Sequence, residues 1–240
     1  MRHQYATVPP LQKKYILTQN PFNNDILGMN EALCSILSGE DEWCFDTEGR
    51  SIKFNKDGTG ELWCRCNFNY WIAAELEWKS IEPVDCVEPP GQIVEIASAT
   101  QNKSPHLLGQ LGLEITLAKR LPRRVQTSDL SKSTMINELG LTDDAFRRKS
   151  YTIRIEKGNF TEPCYIGSSS SHRPRFALRL VFDKSPYPPR SEWRKPDGGP
   201  DGGQFWDHKE FVSRNSPELE KQGRAMNDIP PAGWNTCAVS

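Results

Sequence analysis

The sequence contains no run of about 18 consecutive apolar residues, the length that a membrane-spanning helix needs. Residues 1–22 also lack the apolar core of a secretory signal peptide. Together these absences predict a soluble, cytoplasmic protein. In that compartment the seven cysteines are expected to be reduced thiols and not a disulfide framework.

The chain also has little net charge. Its 30 basic and 31 acidic side chains leave a formal charge of −1, so no general attraction to nucleic acid or to an anionic membrane is expected. The charge is unevenly distributed, because the first hundred residues are mainly acidic and the remainder is mainly basic. Two interpretations stay open. In the first, the solvated faces of acidic early strands pair with those of basic late strands across the sheet. In the second, the basic clusters at 119–124 and 147–149, with Arg173 and Arg175, form a basic mouth, an opening that attracts an anionic ligand.

Recognisable reaction motifs are absent as well. The sequence has no nucleophile elbow, no metal-spaced set of Cys and His, and no phosphate loop followed by a helix. Cys64 and Cys66 lie on one side of a predicted strand, but no second such pair completes a zinc or copper site, so we interpret them as buried packing groups. "PDGGPDGG" at 196–203 is predicted to be a flexible loop, since residues 205–212 have the pattern of a strand. Neither a metal nor a cofactor is predicted.

The sequence does contain the pattern of one amphipathic helix, followed by segments in which apolar and polar residues alternate as they do in β-strands. Apolar residues recur at helical spacing from Asn24 to Leu37, with Gly39 just beyond. Asp57-Gly58 supplies the turn of a hairpin. From Leu62 to Trp78 the apolar residues keep one phase, which predicts one long bent strand or two strands in register. Further alternating segments are 111–117, 151–155 and 176–182, with shorter candidates at 43–48, 91–99 and 205–212.

This pattern predicts an all-β fold, an antiparallel closed β-barrel of about eight to ten strands. One apolar face per strand favours a closed sheet, because closure removes the exposed edges. The helix is expected to close one end of the barrel. Residues 126–149 predict a short helical insertion, with Thr142 as an N-cap. We divide the chain into an extended arm (1–22), the barrel domain (23–213) and a mobile tail (214–240).

The stretch from 36 to 62 resembles lipocalin-like proteins in the broad sense, of the calycin type. The matching positions are Gly39, Trp43 and the turn Asp57-Gly58-Thr59-Gly60. Three residues separate Gly39 from Trp43, where the strict pattern has one. The resemblance implies an eight-stranded barrel with a central cavity that binds a small apolar molecule. A minority of such proteins are cofactor-free cyclases or isomerases.

If apolar faces of several strands converge on one interior, their aromatic residues lie close together. We therefore predict that the chain binds a small, largely apolar molecule there. The candidate ligand-binding residues are Cys66, Phe68, Tyr70, Trp78, Tyr151, Phe176 and Phe182. Two alternatives stay open: a cofactor-free cyclase or isomerase in the same cavity, and an interaction protein whose barrel is filled. A charged residue in the lumen would favour the enzyme, an uncharged lumen the carrier, and a filled barrel the interaction protein.

The final residues 237–240, "CAVS", fit the C-a-a-X prenylation signal, with a serine of the farnesyl type. The preceding segment is polar and rich in proline. No polybasic run and no second acylatable cysteine lie close to Cys237, so a single lipid would anchor the protein only weakly. The sequence thus offers farnesylation of Cys237 and weak membrane association as a hypothesis.

Overall fold

The structure, a computed structural model, describes residues 21–66, 69–81, 104–125, 136–166 and 173–219. Eight strands pair antiparallel in chain order, and β1 pairs with β8 to close the sheet into a ring. This arrangement confirms the predicted all-β fold. The strands are β1 Trp43–Cys44, β2 Arg50–Phe54, β3 Thr59–Cys66, β4 Asn69–Ile81, β5 His106–Leu117, β6 Lys149–Phe160, β7 Phe176–Phe182 and β8 Glu210–Asn215.

Helix α1, Pro21–Gly39, packs against β2 and β5. It begins before the predicted helix and ends after it. Leu33 and Leu37 lie in the main core, and the Trp43 indole N–H donates to the Leu37 carbonyl at 3.0 Å. Gly109 of β5 contacts the Leu33 side chain so closely that an added Cβ would lie 2.7 Å from it. The helix therefore packs directly on the β5 backbone at Gly109, where no side chain intervenes.

The prediction of one apolar face from Leu62 to Trp78 was wrong at Tyr70, whereas Ile72, Ala74 and Leu76 do lie in the core with Leu62 and Cys64. Strands β3 and β4 form an antiparallel pair, with Cys66 opposite Asn69. The register shifts between Cys64 and Arg65, because β4 carries an extra residue at Trp71. A bulge of this kind moves the residues beyond it to the other side of the sheet. Tyr70 therefore pairs with Arg65 instead of following Ile72 into the core.

The main core lies inside the ring. Its members come from every strand and from α1, and the largest side chains that expose under 2% of their surface include Trp43, Phe54, Leu62, Leu111, Leu113 and Phe211. The predicted alternation in 111–117, 151–155 and 176–182 is confirmed, since the buried side chains fall on every second residue. Inward apolar and outward polar positions follow the period of the strand.

Two short helices lie in the segments that connect strands. Helix α2, Ile136–Gly140, carries Asn137, whose side-chain amide bonds the backbone N–H and C=O of Ala73 at 3.1 and 2.8 Å. A 3-10 helix, Asp143–Phe146, follows. Thr142 occupies its N-cap position as predicted, but the hydroxyl makes no capping hydrogen bond. The predicted helical insertion is confirmed in the part of it that the structure describes, from residue 136 onwards.

Residues 183–209 fold over one end of the barrel as a cap, which includes the segment 196–203 that the sequence predicted to be a loop. Tyr187 is buried and its hydroxyl donates to the Trp63 carbonyl at 2.7 Å. "PDGGPDGG" contains helix α3, Gly199–Gly203. Gly199 lies so close to Trp71 that a Cβ there would be 1.9 Å from the indole ring. Prolines and glycines thus build a tight cover here, since they permit sharp turns and close approaches.

The other differences are at segment ends. Residues 205–207 form a 3-10 helix, so the predicted strand at 205–212 begins only at Glu210. Strand β8 continues to Asn215, beyond the predicted end of the barrel domain. The candidate strand at 91–99, most of the N-terminal arm and most of the C-terminal tail lie outside the described residues. No helix in the described part of the chain has the length and apolar character needed to cross a membrane.

The basic clusters are largely taken up by ion pairs. Lys119 pairs with Asp143, Arg120 with Glu75, Arg148 with Glu114 and Lys149 with Glu192. Arg120–Glu75 joins the acidic first part of the chain to its basic second part, as does Arg214–Glu40. These pairs occupy cations that a basic mouth would need, although Arg120 and Glu40 lie outside the strands and neither pair joins two strands.

Candidate functional site

Two of the predicted ligand-binding aromatics lie in the main core. Tyr151 and Phe182 are 5% and 2% exposed, and their rings meet edge to face with centroids 5.8 Å apart. Phe182 makes a second edge contact with Phe211, again at 5.8 Å. Burial raises the pKa of Tyr151. The structure thus brings these two residues together as packing partners.

The other predicted residues are dispersed. Trp78 packs edge to face on Phe54, and its indole N–H donates to the carbonyls of Asn55 and Thr59, each at 3.0 Å. Phe176 is half-buried at the start of β7. Phe68 and Cys237 lie outside the described residues.

Tyr70 belongs to a second cluster, on the outer face of β3 and β4. It meets Trp63 at 6.0 Å, and the Arg65 guanidinium lies 5.4 Å from the centre of its ring. Ala73 and Val125 complete the buried part of this cluster. Trp63 lies between two inward residues of β3, so alternation places it outward. The prediction that Tyr70 lines the interior was therefore wrong.

A polar cluster lies at the end of the barrel under the 183–209 cap. We call it the Asp46–Arg50 cluster; its other members are Phe45, Cys64, Cys66, Tyr187 and His208. Arg50 is the first residue of β2 and pairs with Cys64 of β3. Ile52 and Phe54 are core residues, so alternation also directs Arg50 inward. The structure therefore places a cation at the mouth of the barrel interior.

Asp46 is the centre of this cluster and is 3% exposed. One carboxylate oxygen accepts the backbone N–H groups of Glu48, Gly49 and Arg50 at 3.0, 3.1 and 3.1 Å. The other oxygen forms an ion pair with the Arg50 guanidinium. Gly49 has a φ of +111°, which suits glycine and completes the turn. Asp46 thus holds the β1–β2 turn and neutralises Arg50 at once.

An aromatic stack lies beside the guanidinium. Arg50 lies over the Phe45 ring at 4.8 Å, and Phe45 stacks on His208 with centroids 3.7 Å apart and planes at 15°. Tyr187 and Phe205 contact His208 at 6.0 and 5.9 Å. The His208 Nδ1 atom is buried with no hydrogen-bond partner. His208 is consequently built into an aromatic stack beside a cation.

These surroundings keep His208, Cys64 and Tyr187 uncharged at neutral pH. Burial, and then the Arg50 charge, lower the pKa of His208 to about 4. Burial raises the pKa of Cys64 and of Tyr187 well above their usual values. Burial lowers the pKa of Arg50, but the Asp46 carboxylate outweighs it and the net pKa is raised. At neutral pH the cluster therefore contains one ion pair among uncharged side chains, with neither an imidazolium acid nor a Cys64 thiolate.

Two more thiols lie near Glu162, whose carboxyl group is 2% exposed and has one unpartnered oxygen. Burial, and then the Asp46 charge, raise the pKa of Glu162, while Arg173 opposes the shift. Burial and the surrounding carboxylates raise the pKa of Cys44 to about 12 and that of Cys164 to about 11. These thiols are therefore poor nucleophiles at neutral pH.

A separate groove of about 400 Å³ lies outside the barrel, between the β2–β3 turn and the outward residues of β4 and β5. Glu114 in this groove pairs with Lys79 at 2.8 Å and with Arg148 at 3.6 Å. Asp57 accepts the backbone N–H and the hydroxyl of Thr59 at 3.0 and 2.6 Å. Much of the charge in the groove is thus already satisfied within the chain.

Sequence reasoning missed Asp46, Arg50 and Tyr187. The first two have a local signal, because an Asp three residues before a Gly-Arg step is typical of an Asx-type turn. Tyr187 lies in a proline-rich segment, and its contact with Trp63 spans 124 positions. No local pattern reports a contact of that range. Among the described residues, no group of three or more His, Cys, Asp or Glu side chains is arranged to hold a metal ion.

The chain was compared with protein-family models, curated proteins and solved structures, and none of the three comparisons yields a match.

The buried His208 predicts a loss of stability in acid. Its pKa in the folded state lies below that of the unfolded chain, so the unfolded state binds more protons as the pH falls from about 6.5 to 4. We expect the free energy of unfolding to drop by about 2 kcal/mol over that range through His208 alone, after allowance for its partial exposure. His208→Phe keeps the ring stack and should remove this part of the pH dependence. Denaturant unfolding at pH 7 and pH 4 measures it, and parallel losses in the two proteins would contradict the assignment.

Proposed function

We propose that this protein is an interaction protein, in which a filled barrel serves as a rigid support and the outer surface makes the functional contacts. The packing of the interior carries the proposal. Ile52, Leu62, Ile72, Leu113 and Phe211 expose none of their surface, although they come from five different strands. A side chain that lines a water-sized void keeps some accessible surface, so these residues border none.

The size of the ring agrees with this reading. A barrel of eight strands has an interior just wide enough to be filled by side chains or to hold one small ligand. Here Tyr151, Phe182 and Phe211, which come from the three neighbouring strands β6, β7 and β8, meet inside the ring at edge-to-face distances. Such contacts are those of a packed core.

Two of the polar side chains expected to orient a ligand, those of Trp78 and Tyr70, make contacts within the chain instead. The Trp78 indole N–H is shared between two backbone carbonyls of the β2–β3 turn. Tyr70 lies in the outer cluster. A carrier site needs a few polar groups that converge on one cavity, and these two do not converge.

The rival hypothesis of a cofactor-free cyclase or isomerase draws support from Arg50, a charged residue on the inward face. Its guanidinium is already paired with Asp46, which also holds the β1–β2 turn. His208 beside it stays neutral until the pH approaches about 4. We therefore place the enzyme second, and the apolar carrier third.

We also propose that the resemblance to lipocalin-like proteins is one of architecture. The ring of eight strands, the helix α1 and the buried Trp43 with its bond to Leu37 support this proposal. A filled interior separates this barrel from the cavity-bearing members implied by the resemblance.

Binding of an apolar fluorescent dye tests the filled barrel. We expect the natural chain to bind no dye. When the protein is purified from its native cells, mass spectrometry should detect no co-purified small apolar molecule. Phe182→Ala should create a cavity, cost about 3–5 kcal/mol of unfolding free energy and admit the dye or a benzene-sized probe. This variant is the positive control, because it shows that an opened interior can be detected.

Stoichiometric dye binding by the natural chain, displaced by a co-purified molecule, would overturn the filled barrel and favour the carrier. Turnover of such a molecule would favour the enzyme. Partner capture alone does not decide the question, since a carrier also has a surface.

We retain farnesylation of Cys237 as a separate proposal that the C-a-a-X motif alone supports. In eukaryotic cells we expect the intact mass of the protein to exceed that of its sequence by one farnesyl group. Cys237→Ser should abolish the difference and move the protein wholly into the soluble fraction. An unmodified intact mass from such cells would refute the proposal.

A further inference from the structure

We propose that Cys64 and Cys66 form a two-coordinate site for a soft monovalent metal ion, Cu(I), at the mouth of the barrel. Both residues lie in β3, separated by one outward residue, and both pack on the main core. Two residues apart on one strand face, their Cα atoms are about 6.5–7 Å apart. Cys64 is fully buried and Cys66 is half-buried, so an ion has an approach from the Cys66 side.

This spacing disfavours a disulfide and permits a bridging metal. A disulfide needs Cβ atoms about 3.5–4.5 Å apart, whereas parallel Cβ vectors on one strand face keep them further apart. Two metal–sulfur bonds of about 2.3 Å span up to about 4.6 Å between the sulfurs. Side-chain rotation brings two such sulfurs within that reach without moving the backbone.

The number of ligands selects the metal. Among the described residues no third His, Cys, Asp or Glu completes the pair into a larger ligand set. Structural zinc is held by four ligands in tetrahedral geometry, so two thiolates are too few for it. Soft thiolates favour Cu(I). The pair therefore selects Cu(I) over Zn²⁺.

The occupied site would carry a charge of −1, from two thiolates and one Cu⁺. Arg50 lies beside the site but is already paired with Asp46, so the half-exposed Cys66 side must keep this charge in contact with solvent. Metal binding displaces the two thiol protons, so affinity should rise with pH.

The test is anaerobic titration of the reduced, full-length chain with Cu(I) in competition with a chromophoric Cu(I) chelator. All proteins in the test carry Ser at Cys86 and Cys237, because those two thiols lie outside the described residues. We expect one Cu(I) to be retained per chain. Cys66→Ala and Cys64→Ala should each abolish stoichiometric retention, while Cys164→Ala should leave it unchanged.

Thermal unfolding checks that each variant is folded, and the half-buried Cys66 is the safer site to change. Zn²⁺ serves as the competing ion and should fail to displace Cu(I). Complete loss of Cu(I) from the parent to the chelator overturns the proposal. Retention of one Cu(I) by Cys66→Ala overturns it equally, since the ion then binds other thiols.

Discussion

Asp46→Ala should lower the free energy of unfolding by about 4 kcal/mol. The substitution leaves the Arg50 cation without its partner, although Arg50 exposes only 14% of its side chain. It also leaves three backbone N–H groups of the β1–β2 turn without their acceptor. Unpaired buried charges and donors are among the costliest defects in a fold. Denaturant unfolding at neutral pH measures the loss.

Two matched variants separate the contributions at Asp46. Asp46→Asn keeps an oxygen for the turn N–H groups but removes the charge, so it should recover part of the loss. Asp57→Ala removes a carboxylate from the exposed β2–β3 turn and should cost far less than Asp46→Ala. Equal costs for Asp46→Ala and Asp57→Ala would show that the Asp46–Arg50 pair is not essential to the fold.

Gly60→Ala should cost about 3 kcal/mol, although it adds a single methyl group. An added Cβ would lie 2.1 Å from the carbonyl oxygen of Lys53 and 2.8 Å from a methyl group of Leu76. Lys53 belongs to the neighbouring strand, so its carbonyl cannot move without disturbing the β2–β3 ladder. The thermal midpoint and the denaturant midpoint should both fall.

Gly39→Ala is the matched control, since no atom lies within 4 Å of an added Cβ there. We expect its effect on the free energy of unfolding to stay within about 0.5 kcal/mol. Equal losses of unfolding free energy in the two glycine variants would contradict the close approach at Gly60. The pair thus distinguishes Gly60, where packing requires the absence of a side chain, from Gly39, where it does not.

The general fold could be predicted because most strands of this barrel carry a local signal. Leu111, Leu113 and Ile115 alternate with less buried neighbours, and the structure buries all three. The hairpin turn at Asp57-Gly58 is equally local, and Gly58 has a φ of +82°. Period and turn chemistry depend on neighbours in sequence, so one sequence suffices to detect them.

The candidate site could not be predicted in the same way. From Leu62 to Trp78 the apolar residues recur at every second position, as they would along one strand. A hairpin with a bulge produces the same spacing, because the extra residue keeps the pattern in step on both of its strands. Tyr70 fell on the wrong face for that reason. The cap at 183–209 depends on contacts such as Gly199 with Trp71, which join distant parts of the chain. Proline and glycine there looked like the signature of a loop.

The short strand β1 makes its junction with β8 the weakest point of the ring. It has two residues and meets β8 at one register position, Cys44 opposite Val212. Side chains reinforce this junction, since the Ser213 hydroxyl donates to the Glu42 carbonyl at 2.7 Å and Arg214 pairs with Glu40. When the ring opens transiently, it should part here first and expose the edge of β8 to neighbouring molecules. The Ser213 and Arg214 contacts should therefore slow this opening.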